Sequence, residues 1–191
     1  MTGSAFTAVY DACVSYLAPL RDFRLWLGLS RCFQARWSAR IHGDWKRSLL
    51  INRPALSAEQ LDRTSDLMDR AIPDAWVTGF EPLMASLSLP DPDDRHVLAA
   101  AIHCHASVIV AFNERDFPSD ILEAFEMEAQ YPDVFGKNLF DLDPASVVAA
   151  AQRQRQQLRS SPMEVDHFLD VLHRQGLPQT AKALSAFRGV L

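Results

Sequence analysis

The apolar run Ser107-Val108-Ile109-Val110-Ala111-Phe112 most constrains the fold, because it is short, unbroken and rich in β-branched residues. Such a run is typical of a strand that is covered on both faces. A helix is predicted just before it, over about residues 92–104, and a short buried strand near the start of the chain, Thr7-Ala8-Val9-Tyr10. Strand, helix and strand in this order predict a parallel sheet in an α/β fold.

Hydrophobic spacing and capping signals predict further elements. Trp37, Ile41, Trp45 and Leu49 recur every four positions and predict an amphipathic helix over residues 36–50. The capping box Ser57-Ala58-Glu59-Gln60 predicts the start of the next helix. The stretch before the first of these helices, residues 12–34, is expected to be helical, with interruptions at two positions, Pro19 and Gly28.

Short strands and one short helix are predicted between residues 75 and 130, and only helices after residue 140. Ala75-Trp76-Val77-Thr78-Gly79 predicts a strand and turn, residues 119–126 a short helix, and Glu128-Ala129-Gln130 a brief strand. Beyond residue 141 only helices are predicted, and their expected starts are Asp143-Pro144, Ser161-Pro162-Met163-Glu164 and Leu177-Pro178. We therefore expect an α/β domain over residues 1–140 and a helical extension over residues 141–191.

Composition and charge exclude several classes of protein. The chain has 191 residues and 48% hydrophobic content, enough for one globular domain with an appended part. It shows no signal-peptide pattern and no apolar run near the roughly 18 residues of a membrane span, so we expect a cytoplasmic protein without a membrane partner. Residues 1–53 hold eight Lys and Arg against three Asp, which suits contact with a phosphate backbone or an ordinary solvated surface.

The stretch Leu89-Pro90-Asp91-Pro92-Asp93-Asp94-Arg95-His96 places three carboxylates at the start of the predicted helix. One explanation is helix capping, with Asp91 at the N-cap and the other acids in the first turn. The other is that Asp94 points into a cleft and helps to hold a divalent cation. We expect Asp91 to cap the helix, Asp94 to face a metal ion and Asp93 to face solvent.

Other polar side chains are predicted to lie at the same edge of the sheet as Asp94. Asp11 ends the first predicted strand, and Asn113 and Asp116 follow the strand at residues 107–112. In an open α/β sheet, ligand sites form outside the carboxyl ends of the strands, so we expect these side chains to gather there. Mg²⁺ and Mn²⁺ prefer such oxygen ligands and bridge them to phosphate oxygens. Taken singly, each acid also has a structural explanation as a helix cap or, for Asp44, as an ion-pair partner.

The acidic segments resemble, in order and spacing, the four motifs of PIN-domain nucleases, and most of all the VapC-like toxins of bacterial toxin–antitoxin pairs. The segments are Val9-Tyr10-Asp11-Ala12-Cys13-Val14, Ile41-His42-Gly43-Asp44-Trp45, residues 91–101 and residues 109–117. The resemblance covers about residues 5–135. It implies a three-layer α/β/α domain with a central parallel sheet of about five strands, and Mg²⁺- or Mn²⁺-dependent hydrolysis of phosphodiester bonds in RNA. It also implies a homodimer and an antitoxin protein as a partner.

Carried onto this chain, the family's acids fall on Asp11, Asp44, Asp94 and the pair Asn113 and Asp116. Asp44 stands where the family often has Glu, and Cys13 stands where it often has a polar residue. The resemblance implies catalytic roles for Asp11, Asp44, Asp94 and Asp116, with the metal ion held by Asp11, Asp94, Asn113 and Asp116.

The resulting hypothesis is a metal-dependent endoribonuclease. Its predicted contacts to the RNA backbone are Arg40, Lys46, Arg47 and Arg95. A non-catalytic PIN-like module that binds RNA or protein is the alternative, favoured by the changes at Asp44 and Asn113. A nucleotide-cofactor enzyme is disfavoured, because the seven glycines form no Gly-x-Gly-x-x-Gly or P-loop pattern.

Overall fold

The computed structural model describes residues 6–157 and 163–191, and its centre is a parallel sheet. The described strands are β1 (Thr7–Tyr10), β2 (Gln34–Arg36), β3 (Val108–Val110) and β4 (Glu128–Gln130), in the order β2-β1-β3-β4. The described α-helices are α1 (Ala12–Ser15), α2 (Ala18–Leu29), α3 (Ala39–Asn52), α4 (Ala58–Ala71), α5 (Arg95–His103), α6 (Ser119–Leu122), α7 (Pro132–Leu142), α8 (Pro144–Gln157), α9 (Val165–Arg174) and α10 (Pro178–Leu184).

The parallel sheet that the sequence predicts is confirmed. β1 lies between β2 and β3, with Ala8 paired to both Ala35 and Val108. The residues of β1 and β3 are almost all buried, which accounts for their unbroken apolar runs. α5 packs against both strands, and its apolar residues from Val97 to Ala101 are all buried. A second helical layer on the opposite face of the sheet stays a prediction.

Two predicted elements near β2 are wrong in detail. Residues 36–38 do not begin the helix: Arg36 ends β2, and Ser38 is the extended N-cap whose hydroxyl accepts a hydrogen bond from the Ile41 backbone N–H. Ile41, Trp45 and Leu49 are nevertheless buried as predicted. Gly28 does not interrupt the preceding helix either, because α2 continues to Leu29.

The predicted strand at residues 75–79 is not formed. A 3-10 turn, Pro73–Ala75, is followed by an isolated parallel bridge between Trp37 and Trp76. Gly79 then takes a positive φ of 80°, which ends the extended stretch. Within residues 6–157 and 163–191 the sheet therefore has four strands, where about five were predicted, and this bridge lies beside its β2 edge.

The helices α3 and α4 are joined by a buried polar network. The capping box at the start of α4 is confirmed, with Ser57 and Gln60 bonded to each other's backbone N–H. Trp45 Nε1 donates to His42 Nδ1 at 2.9 Å, so the imidazole is neutral and carries its proton on Nε2. That Nε2–H and the Trp37 Nε1–H both donate to Asp69 Oδ1, at 3.0 and 2.7 Å. One carboxylate thus satisfies two donors from buried rings.

Backbone contacts divide the chain into two units. The first comprises residues 1–16 and 33–131, and the second residues 17–32 and 132–191. This division differs from the boundary predicted at residue 140, because α2 and α7 belong with the C-terminal helices. The expected helix starts at Pro144 and Pro178 are confirmed, whereas the one at Ser161-Pro162 lies outside the described residues.

The second unit is an assembly of helices held by specific polar contacts. Both carboxylate oxygens of the buried Asp133 accept hydrogen bonds from the first turn of α10, from Gln179 N and Thr180 N at 2.9 Å each. A methyl group at Gly136 would lie 2.6 Å from Thr180 Oγ1, so α7 and α10 approach closely there. Within the described ranges, every helix of the chain is too short or too polar to cross a membrane.

Replacement of Asp69 by Ala should destabilise the first unit. It leaves the N–H groups of His42 and Trp37 without their acceptor, and we expect the free energy of unfolding to fall by about 2–4 kcal/mol in urea denaturation. Asp69→Asn keeps one acceptor oxygen and should lose less. Asp66→Ala, an exposed acid on the same helix, is the matched control. Equal stability of the Asp69→Ala and Asp66→Ala proteins would contradict the assigned role.

Candidate functional site

Asp11 lies at the carboxyl end of β1, in the centre of the sheet. Its backbone N–H donates to Val110 O at 3.0 Å, which continues the pairing of β1 with β3 by one residue. Its Oδ1 accepts from the Ala12 N–H at 2.6 Å, so the side chain also caps α1. Asp11 therefore caps α1 and also lies at the sheet edge where it was predicted.

The three acids before α5, Asp91, Asp93 and Asp94, have different surroundings. Asp91 caps the 3-10 turn Pro92–Asp94, since its Oδ1 accepts from the Asp93 N–H at 2.8 Å. Asp93 is exposed. Asp94 occupies the N-cap position of α5, yet its side chain makes no capping hydrogen bond. The expected capping role of Asp91 and the solvent position of Asp93 are thus confirmed.

The carboxyl of Asp94 has a strongly perturbed acidity. Burial raises its pKa, and the charges of Asp11, Asp116 and Asp91 raise it further, to about 7, against a smaller lowering by His96. These contributions show that Asp94 lies close enough to Asp11 and to Asp116 for their charges to raise its pKa. The structure therefore brings these three predicted acids together, from the ends of β1 and of the segment after β3 and from the start of α5.

Asn113 and Asp116 follow β3 as predicted. Asp116 is half-buried at the end of a 3-10 turn, Glu114–Asp116, and Asn113 is exposed. Asn113 Nδ2 donates to Asp116 Oδ2 at 2.6 Å. The amide N–H group of Asn113 therefore fixes the neighbouring carboxylate, and this contact does not use its carbonyl oxygen.

Asp44 makes close contacts with two basic side chains. Its Oδ2 lies 2.8 Å from His96 Nε2, and its Oδ1 accepts from Arg47 Nη1 at 2.9 Å. Although burial alone would raise the pKa of Asp44, hydrogen bonds and charge from His96 and Arg47 hold it below its usual value. Both carboxylate oxygens are thus engaged by cationic or N–H donors, and the contact joins α3 to α5.

His96 is a polar residue of this site that sequence reasoning did not single out. The side chain is 4% exposed, and it contacts Asp44 while lying within electrostatic range of Asp94. Its Nδ1 is buried and has no hydrogen-bond partner. The signal available in the sequence was its place two residues after Asp94, directly before the apolar run Val97 to Ile102.

The four predicted RNA-contacting cations differ in their present contacts. Arg40 is exposed, and its guanidinium reaches Met84 Sδ at 3.5 Å. Lys46 Nζ donates to Asp62 Oδ1 at 2.8 Å. Arg47 pairs with Asp44, as above, and Arg95 has a buried Nε without a partner. Arg40 and Arg95 therefore have no acidic partner in these contacts, and Arg40 is the more exposed of the two.

The donor set at Asp94 suits a hard divalent cation. Its atoms are carboxylate and amide oxygens, and a cation would relieve the repulsion among the acids. Within the described residues, however, no three His, Cys, Asp or Glu side chains stand close enough together to enclose an ion directly. Mg²⁺ commonly keeps several of its waters and uses one or two carboxylates, so an ion here would contact one or two of these side chains directly and the others through water.

Comparison with known proteins identifies relatives of this chain. Residues 132–186 match the family model described as the VapC50 C-terminal domain. The chain is also 33% identical over 113 residues to a Mycobacterium tuberculosis (strain ATCC 25618 / H37Rv) protein named "Putative ribonuclease VapC50". The chain is VapC-like. This confirms the resemblance that the acidic motifs predicted.

The matches cover part of this chain and part of the relative. The alignment covers 59% of this VapC-like chain and 66% of the relative's length. The match to the C-terminal family model begins at residue 132, where the second unit resumes after the sheet. No solved structure matches the chain.

Replacement of Asp94 by Asn should stabilise the metal-free VapC-like protein at alkaline pH. Because the pKa of Asp94 is raised from 3.8 to about 7 by folding, the native state loses stability as pH rises between these values. The Asn side chain carries no such cost. We therefore expect a higher melting temperature than wild type at pH 8 in EDTA, and a difference that shrinks towards pH 4.

Asp93→Asn is the matched control, since it removes an exposed carboxylate one residue away. It should leave the pH profile of the melting temperature unchanged. A wild-type and an Asp94→Asn protein that melt together at pH 8 would contradict repulsion at Asp94.

Proposed function

We propose that the chain is a Mg²⁺- or Mn²⁺-dependent endoribonuclease and the toxin of a toxin–antitoxin pair. The observation that carries the proposal is the half-buried Asp94 carboxyl, raised in pKa to about 7 by burial and by Asp11 and Asp116. Such repulsion is costly, and functional sites are where proteins retain it. The name of the M. tuberculosis relative, which includes the word ribonuclease, supports the same reaction class.

In this proposal Asp11, Asp94 and Asp116 hold the cation and Asn113 completes the set. A bound Mg²⁺ or Mn²⁺ would favour ionisation of an attacking water and neutralise charge on the phosphate. The Asn113 amide orients Asp116, and the Ala12 N–H orients Asp11, so two of the three carboxylates have fixed geometry before any ligand binds. Asp44 contributes from the margin of the site, through its contact with His96.

The proposed RNA contacts lie on α3 and at the start of α5. Arg40, Lys46 and Arg47 share the helix that carries Asp44, and Arg95 follows Asp94 directly. Because Lys46 and Arg47 already pair with Asp62 and Asp44, their charges are partly neutralised. Arg40 is accordingly the first choice for a phosphate contact.

Cleavage of a mixed-sequence single-stranded RNA by the purified protein tests the reaction. We expect Mn²⁺ or Mg²⁺ to support cutting, EDTA to abolish it, and Asp94→Asn or Asp11→Asn to reduce the rate at least about 100-fold, because each removes a charge that holds the cation. Calorimetric titration with Mn²⁺ gives a second readout, in which both variants should bind more weakly. Asp93→Asn should cut and bind as wild type does.

The outcomes separate the two candidate functions. Equal cutting by wild type and Asp94→Asn would place the chemistry elsewhere or in a contaminant. Binding of RNA without metal-dependent cutting by wild type would favour the non-catalytic module, to which the engagement of Asp44 by His96 and Arg47 lends support. An antitoxin and a second copy of the chain are the proposed protein partners in either case.

Replacement of Arg40 by Ala should weaken RNA binding without changing sequence preference. Loss of one phosphate contact is expected to reduce the slope of log K against log salt by about 0.7 for a single strand. Arg63→Ala, an exposed arginine on α4, serves as control in the same titration. An unchanged slope in Arg40→Ala would refute a phosphate contact by this residue.

A further inference from the structure

Trp76 is an exposed aromatic side chain that the proposed reaction does not use. It is 42% exposed, whereas Trp37, with which it forms a bridge, and Trp45 are 2% and 1% exposed. An indole is the largest apolar side chain, so a ligand or partner that covers it gains much apolar contact area. The exposure of Trp76 is therefore a candidate for a binding function.

The backbone at Trp76 is held in place. Trp37 N–H donates to Ala75 O and Val77 N–H donates to Trp37 O, both at 2.9 Å, which forms the isolated parallel bridge. Ala75 and Val77, the residues on either side of Trp76, are buried. The exposed ring thus projects from a fixed segment.

The ring of Trp76 also packs against the imidazole of His42. Its centroid lies 5.9 Å from that of His42, with an angle of 38° between the planes. His42 is in turn fixed by Trp45 at Nδ1 and by Asp69 at Nε2. The imidazole packs beside the indole while much of the indole remains open to solvent. A flat aromatic surface on a rigid base is the arrangement that stacks nucleobases at low entropic cost.

The bridge places Trp76 at the same end of the sheet as Asp11. Val9 pairs with Arg36, so Trp37 continues the register opposite Tyr10, the residue before Asp11. Trp76 pairs with Trp37 on the next position outward. Two strand spacings amount to roughly 10 Å, which a single-stranded RNA spans within a few nucleotides.

A cation lies along the same segment. The exposed Arg40, in the first turn of α3, reaches Met84, eight residues beyond Trp76. The first turns of α3 therefore contact the segment 75–84 twice, through His42 at the indole and through Arg40 at Met84. Aromatic faces beside basic side chains are the combination that single-stranded nucleic acids require, one for the base and one for the phosphate.

We propose that Trp76 is a stacking platform for a base of the single-stranded RNA, with Arg40 at a neighbouring phosphate. The inference rests on the proposed function, since it assumes an RNA substrate whose backbone leads to the acids at the carboxyl end of the sheet. It adds a base-contacting residue outside the acidic motifs and makes the substrate single-stranded, because a paired base offers no free face.

Binding of a fluorescein-labelled single-stranded RNA, measured by anisotropy in the Asp94→Asn background, tests the platform without cleavage. Trp76→Ala should weaken binding about tenfold, and Trp76→Phe, which keeps an aromatic face, should recover most of it. An oligomer of abasic ribose phosphates should bind the Asp94→Asn and Asp94→Asn/Trp76→Ala proteins alike. Leu67→Ala, which removes an exposed apolar side chain on α4, is the matched control.

Tryptophan fluorescence gives an independent readout. RNA with bases should quench the emission of the protein that contains Trp76, and the abasic oligomer should not. An equal loss of affinity for both oligomers in Trp76→Ala would mean a backbone or folding effect and would overturn the inference. Unchanged RNA affinity in Trp76→Ala, combined with altered self-association in sedimentation, would assign the indole to a protein interface and overturn it as well.

Failure of the platform and failure of the proposed function are distinguishable. Metal-dependent cleavage by wild type, with full RNA affinity retained in Trp76→Ala, removes the platform and leaves the nuclease. Absence of both RNA binding and cleavage in wild type at low salt removes the nuclease and the platform together.

Discussion

The parallel pairing of β1 with β3 is the contact on which the rest of the first unit depends. It holds Ala8 to Tyr10 against Val108 to Val110, so both strands end at one edge of the sheet. α5 leads into β3, and a crossover helix runs antiparallel to the strands it joins, so its first turn lies at that same edge. Asp11, Asp94 and Asp116 are thus neighbours because of the topology, although long stretches of sequence separate them.

The three carboxylates at this edge differ in how well hydrogen bonds satisfy them. Asp11 accepts a backbone N–H and Asp116 accepts the Asn113 amide, so both have local partners. Asp94 has no capping hydrogen bond and bears the repulsion, as its raised pKa records. A carboxylate used only as a cap would have been satisfied by the helix N–H groups. The arrangement therefore favours a function for Asp94 over a purely structural role.

Local patterns allowed much of this fold to be predicted. β1, β3, β4, the capping box of α4 and the parallel sheet follow from short-range signals, and the grouping of three acids follows from strand ends. The errors arise where tertiary contacts decide. Trp37 fits the spacing of α3, but its backbone is taken by the bridge to Trp76. The contribution of α2 to the C-terminal unit depends on contacts distant in sequence, such as Gln154 Nε2 to Pro19 O at 2.8 Å.

The contact between His96 and Asp44 joins two sequence motifs, so neither motif alone predicts it. Asp44 is one methylene shorter than the Glu often found at its position in the family, and both of its oxygens are occupied by His96 and Arg47. Asp44 contacts an imidazole that lowers the pKa of Asp94 and so opposes the effect of the other acids. The contact between Asp44 and His96 thus links α3 to the start of α5.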